Sequence, residues 1–261
     1  MENFKQIIDF ARKTIEIEVD SLNKLTDFIN EDFVKSVQTI LNSKGRVVIT
    51  GIGKSAIIAQ KIVATMNSTG TPSIFMHAAD AIHGDLGIIQ KDDVVICISK
   101  SGNTPEIKVL IPLLKREGNP LIAITANKDS FLGLQSDFIL LAYTKEEACP
   151  NNLAPTTSTT AQLVLGDALA VSLMRMKQFG SKDFAKYHPG GALGKKLYLT
   201  VGDAIAKNEV PKVSPETDIK QVIIEISQKM LGVTAVIDGE KIVGVITDGD
   251  IRRMLNKFDN I

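Results

Sequence analysis

The chain has no tryptophan, only two cysteines and three histidines, and no surplus charge of either sign, with 30 basic side chains against 30 acidic ones in 261 residues. That balance argues against a broad nucleic-acid or membrane-surface footprint and leaves room for a local positive pocket. Cys97 lies in an apolar run and Cys149 stands before Pro150, so no disulfide framework is in view and a reducing, cytoplasmic setting is expected. The cysteines and His77, His83 and His188 show neither zinc-finger nor His-Glu-x-x-His spacing, and no metal is expected. No apolar run reaches the roughly 18 residues of a membrane helix. The opening residues also lack the basic-then-apolar order of a signal peptide.

What is present is an alternation. Phe4, Ile8, Ala11, Ile15, Val19, Leu22 and Ile29 recur at helical spacing, and Phe33, Val37, Ile40 and Leu41 repeat it after a cap at Asn30. These two helices read better as dimerisation helices than as a DNA reader. Short apolar runs near 46–50, 73–76, 94–98, 121–125 and 138–142 then alternate with helical stretches. The pattern predicts an α/β fold, a five-stranded parallel sheet flanked by helices. A long helix follows over about 158–179, and the texture changes after 195. The chain length suits one large domain and one small one.

Two turns carry the chemistry. Ser99-Lys100-Ser101-Gly102-Asn103-Thr104 follows the apolar run at 94–98 and opens a helix at Pro105. Hydroxyls, a flexible glycine and the free N–H groups of a helix start make such a turn a phosphate grip, although Ser, Thr and Asn also serve as plain caps. Gly51-Ile52-Gly53-Lys54-Ser55 likewise follows the run at 46–50. A P-loop would need glycine where Val48 stands. A dinucleotide fingerprint would need an acid about twenty residues on, where Phe75, Met76 and His77 stand. Both are rejected. Lys54 would place a cation at a helix N-terminus, which is costly unless an anion is near.

With Gly51–Ser55 and Ser99–Thr104, the segments His83-Gly84-Asp85-Leu86-Gly87, Glu147-Ala148-Cys149-Pro150, Leu153–Ser158 and His188-Pro189-Gly190-Gly191 resemble the sugar isomerase (SIS) domain, and closely the arabinose-5-phosphate isomerase family. The resemblance implies an SIS domain over 1–195 and interconversion of D-arabinose 5-phosphate and D-ribulose 5-phosphate. It places the enzyme at the head of the route to the eight-carbon acid sugar (Kdo) of bacterial lipopolysaccharide. A proton moves between C1 and C2 through an enediolate, so the site needs a base, an acid and a cation, and no redox cofactor. The candidate bases are Glu147 and Glu106, the second also explicable as a dipole-stabilised acid in a first helical turn. His188 is expected to serve ring opening from a neighbouring subunit, and Lys54 to face the enediolate or the phosphate. His83 is expected to orient sugar hydroxyls, and His77 is left as structural. Substrate contacts are expected from Gly53, Ser55, Ser99, Ser101, Gly102, Asn103 and Thr104, and from Thr156, Thr157 and Ser158, which also suit helix capping. A homotetramer is implied.

Residues 196–261 resemble a single CBS unit. They carry Asp203-Ala204-Ile205, a helix near 218–231, strands at 233–237 and 242–246 about Asp238-Gly239, and Thr247-Asp248-Gly249-Asp250 before a last helix. CBS units pair in tandem and bind nucleotides. The resemblance therefore implies a nucleotide or nucleotide-sugar ligand, and pairing with a second unit from longer chain or another subunit. The competing reading is a non-catalytic sugar-phosphate sensor, which keeps the phosphate turns and dispenses with the base.

Overall fold

A computed structural model describes residues 2–191, 194–195, 197, 200–202 and 209–257. Asp203-Ala204-Ile205 lies outside the described residues. The chain divides into two compact units, residues 1–194 and 195–261.

In the first unit, strands β1 (Val47–Gly51), β2 (Ser73–His77), β3 (Val94–Ile98), β4 (Leu121–Thr125) and β5 (Phe138–Leu141) form one parallel sheet in the order β2-β1-β3-β4-β5. Strands β1, β3 and β4 are buried along their whole length. That is why they read as unbroken apolar runs rather than alternating ones. Successive side chains still point to opposite faces. Val47, Ile49, Val94, Ile96 and Ile98 pack with helices α1 (Glu2–Leu25), α2 (Glu31–Asn42), α3 (Lys54–Ser68) and α7 (Thr157–Met176). On the other face, Val48, Val95, Cys97 and Leu121 pack with α4 (Ala78–Ala81), α5 (Pro105–Glu117) and α6 (Phe131–Gln135). Burial pushes the Cys97 thiol up to about 12, so it serves as a small apolar core group. The helix α8 (Ser181–Tyr187) follows α7.

Asn30 caps α2, its side chain accepting from the Asp32 N–H at 2.9 Å. Asp32 in turn accepts from Ile139 N–H at 3.0 Å, so the same turn ties α2 to the edge strand. The chain leaves β1 toward β2 on one side and reaches β3 on the other. The switch point is therefore the crevice between the carboxyl ends of β1 and β3, where open parallel sheets bind ligands.

In the second unit, β6 (Lys212–Val213), β7 (Val233–Asp238) and β8 (Lys241–Thr247) form a small sheet, β6 parallel and β8 antiparallel to β7. The helix Ile219–Lys229 follows β6, and the helix Asp248–Leu255 follows β8. Thr247 and Asp250 close the last helix by a reciprocal capping box. No helix among the described residues is long and apolar enough to cross a membrane.

Candidate active site

The turns after β1 and β3 flank the switch point, and the start of α7 joins them. Together they line a cavity of ≈ 320 Å³ formed by Ile52, Lys54, Ser55, Ser99, Lys100, Ser101, Thr104, Pro155, Ser158, Thr159 and Gln162. Three helix N-termini thus meet at one cavity, which favours an anion there. No carboxylate and no imidazole is among the lining side chains.

The backbone of both turns depends on glycine. Gly53 has φ +58°, and Gly102 has φ +63° with a Cβ position already filled by the Ser130 hydroxyl. Gly102 O accepts from Leu132 N–H at 3.0 Å, and Asn103 Oδ1 accepts from Phe131 N–H at 3.1 Å. Gly102 and Asn103 therefore bind the turn to the segment beginning α6, and Asn103 does not line the cavity. Ser99 Oγ accepts from Gly102 N–H at 3.1 Å, and Ser101 is exposed at the cavity wall. Thr104 sits at the N-cap of α5 but makes no capping bond. Its Oγ1 is buried and unpartnered, and an orphan hydroxyl on a cavity wall calls for a ligand. Lys54 is exposed, in the first turn of α3, with no partner among the described residues.

Glu147 departs from expectation. The residue is 2% exposed. Its Oε1 accepts from the Lys100 ammonium at 2.6 Å and the Ser158 hydroxyl at 2.5 Å. Its Oε2 accepts from the N–H groups of Thr156 at 2.8 Å and Ser158 at 3.1 Å, and from the Thr156 hydroxyl at 3.3 Å. Burial pushes this carboxyl up, but Lys100, Ser158 and the helix N–H groups outweigh it and hold the group down at about 2. A base that takes a carbon-bound proton needs a lone pair that no protein donor holds and a pKa toward the working pH. Glu147 has neither, and the geometry opposes the expectation that it is the base.

The same network occupies two threonines expected at the substrate. Thr156 Oγ1 and Thr157 Oγ1 both accept from Ala148 N–H at 3.0 Å, and Thr157 is fully buried. Ser158 reaches the cavity while donating to Glu147. The segment after Glu147 wraps Cys149, whose thiol is lowered by the N–H groups of Ala154, Leu153 and Asn151.

Glu106 is half-buried in the first turn of α5, two residues past Thr104, with no hydrogen bond or ion pair among the described residues. His83 is exposed beyond α4. His188 follows α8. Its ring stacks on Phe184 at 3.9 Å between centroids, and Nδ1 donates to Phe184 O at 2.9 Å. Since a carbonyl only accepts, the neutral ring keeps its lone pair at Nε2. None of these three lines the cavity of its own chain. His77 lies at the end of β2, its Nδ1 3.6 Å from Asp80 Oδ2. Among the described residues no three His, Cys, Asp or Glu side chains converge as a metal would need.

Two polar lining residues, Lys100 and Gln162, are given no role by the sequence. Gln162 is 1% exposed and accepts from Ser55 Oγ at 3.1 Å, joining α7 to α3. Ser158, Gln162 and Gly166 stand four apart and so share one face of α7.

A parallel sheet with an anion-attracting cavity at its switch point defines an anion-binding α/β domain. The SIS domain family matches residues 40–172 and the CBS domain family residues 201–257. Arabinose 5-phosphate isomerase KdsD of Pseudomonas aeruginosa is 48% identical over 260 residues, covering 98% of this chain and 80% of that protein. A solved Escherichia coli CFT073 protein in complex with arabinose 5-phosphate superposes with a TM-score of 0.69 at 42% identity, covering 71% of this chain and 98% of that one. A putative sugar-phosphate isomerase of Listeria monocytogenes gives 0.69 at 35% identity, with 71% and 98% coverage. The chain belongs to the arabinose 5-phosphate isomerase family, built as an SIS domain followed by a CBS region.

Proposed function

We propose that the protein interconverts D-arabinose 5-phosphate and D-ribulose 5-phosphate through an enediolate, supplying the pentulose-to-aldose step of Kdo synthesis. The observation that supports this most is the cavity itself, where three helix starts, two lysines and an unpartnered threonine hydroxyl meet at a sheet switch point. Family membership supports the choice of sugar. Starting from the aldose, a base takes the proton from C2, a C1=C2 double bond forms, and the carbonyl electrons pass to O1. The proton then returns to C1, the O2 proton moves to O1, and C2 becomes the carbonyl carbon.

The roles follow from exposure and satisfaction. Ser101, Thr104 and Ser55 with the N–H groups of α5 and α3 hold the phosphate, and Lys54 adds charge. Glu106 is the base, because it is a carboxylate beside the phosphate turn that no protein donor among the described residues occupies, whereas Glu147 is saturated. His188 of a neighbouring copy opens the sugar ring, and His83 orients hydroxyls at the rim. The assembly is a homotetramer. Its α1 exposes Phe4, Ile7, Phe10 and Ile15 at 62–72%, a stripe that a second copy would cover.

The direct test incubates the protein with a panel of aldose 5- and 6-phosphates and follows ketose formation without added metal or nucleotide. Arabinose 5-phosphate should be converted, and turnover of no sugar phosphate would leave the sensor reading. For the phosphate turn, Ser101→Ala and Thr104→Val should each raise KM by about 5- to 30-fold, the 1–2 kcal/mol of a hydrogen bond to a charged group. Unchanged KM in both would remove that turn from the site.

A further inference from the structure

The cavity holds two ammonium groups in opposite circumstances. Lys54 stands exposed at the start of α3, with no partner among the described residues. Lys100 also lines the cavity, but its Nζ is fixed 2.6 Å from Glu147 Oε1, with its side chain 44% exposed and that of Glu147 not exposed at all. Glu147 is itself immobilised by Ser158, by Thr156 and by two N–H groups at the start of α7. A salt bridge buried on one side only is a poor way to stabilise a fold, since desolvation offsets most of its attraction. It is an effective way to hold a charge at a fixed point. Charge that develops in a transition state is best met by a group already in place, because no reorganisation is then needed. A flexible ammonium suits the phosphate, which is charged throughout the reaction and follows the substrate in and out.

We propose that Lys100, held by the buried Glu147, is the cation that stabilises the enediolate oxygen, and that Lys54 serves the phosphate. The proposal rests on the isomerase reading above. Lys100 is then a catalytic residue and Glu147 a positioning residue that acts through it.

The division of labour is separable by kinetics and by binding. Lys100→Met should lower kcat by about 100- to 1,000-fold, the cost of losing one preorganised oxyanion partner, with KM within about threefold. The probe for the intermediate is 4-phospho-D-erythronohydroxamate, whose planar hydroxamate sets its nitrogen and carbonyl carbon where C1 and C2 of the enediolate stand, titrated by calorimetry into the whole protein. Lys100→Met should lose about 100-fold in affinity for it while binding inorganic phosphate as wild type does. Lys54→Met should weaken hydroxamate and phosphate alike. Glu147→Gln, of nearly the same shape, should lower kcat and hydroxamate affinity together, since the ammonium loses its anchor. A variant that fails a thermal-melt check is replaced by Glu147→Asp, which keeps the charge and shortens the reach, with the same joint fall expected. Turnover lost in Glu147→Gln with hydroxamate affinity intact would make Glu147 the base and overturn its positioning role. Lys100→Met with kcat within about threefold of an active wild type would overturn the role of Lys100 and leave the isomerase standing. A wild type inactive on every sugar phosphate would instead strike the isomerase reading itself.

Discussion

Glu106→Gln should lower kcat on arabinose 5-phosphate at least about 1,000-fold, with KM moved only a few-fold, because the amide keeps the shape and removes the lone pair that takes the C2 proton. The structural cost of the change is small. Glu106 makes no hydrogen bond or ion pair among the described residues, and its one evident contribution to the fold is the favourable position of an acid in the first turn of α5, worth about 0.3–1 kcal/mol. A lost rate therefore reads as lost chemistry rather than unfolding. In heavy water the wild type should wash deuterium into the carbon-bound position during turnover, and Glu106→Gln should lose exchange and turnover together. Retention of more than about a tenth of kcat would move the base elsewhere. Ser101→Ala gives the contrasting signature, since a contact to the phosphate is made equally in ground and transition states and appears in KM.

The choice of Glu106 over Glu147 shows where sequence reading reaches its limit. The strands and both phosphate turns were legible, because a buried parallel strand announces itself as an apolar run and a helix start announces itself by Ser, Thr and Gly. Asn30, Gly53 and Thr104 stand where local chemistry put them. The sequence leaves Glu147 and Glu106 both open as the base, because the partners of Glu147 are set by a loop closure: the segment 148–155 turns back so that N–H groups at the head of α7 reach a carboxylate about ten residues upstream. Nothing in composition or periodicity records that return. Thr156 and Thr157 were drawn into the substrate set for the same reason, and the fold commits their hydroxyls to Ala148 N–H. Lys100 was hidden in the motif that contained it. Its neighbours Ser99 and Ser101 are what a phosphate turn requires, and only the distance to Glu147 shows that this lysine is held still.

A mixture of Glu106→Gln and His188→Ala protein, each inactive alone, should regain about a quarter of wild-type activity after equal amounts are unfolded and refolded together. The phosphate turn and Lys100 line the cavity of one chain, whereas neither His83 nor His188 does. His188 is fixed instead at the C-terminal end of α8, its ring packed on Phe184 and its Nδ1 spent on the Phe184 carbonyl. A fixed group that does not line the cavity of its own chain is suited to filling the cavity of a copy related by symmetry. If each site takes Glu106 from one chain and His188 from its neighbour, random assembly gives half the sites a wild-type glutamate, and half of those a neighbour with wild-type histidine. That product is the quarter expected. If both groups come from one chain, every site in the mixture lacks one of them, and the activity stays at the level of the separate variants whatever the degree of exchange. Native mass spectrometry distinguishes the mixed from the unmixed oligomers, so inactivity in a verified mixture would place both residues within one subunit and remove the requirement for a partner at the site.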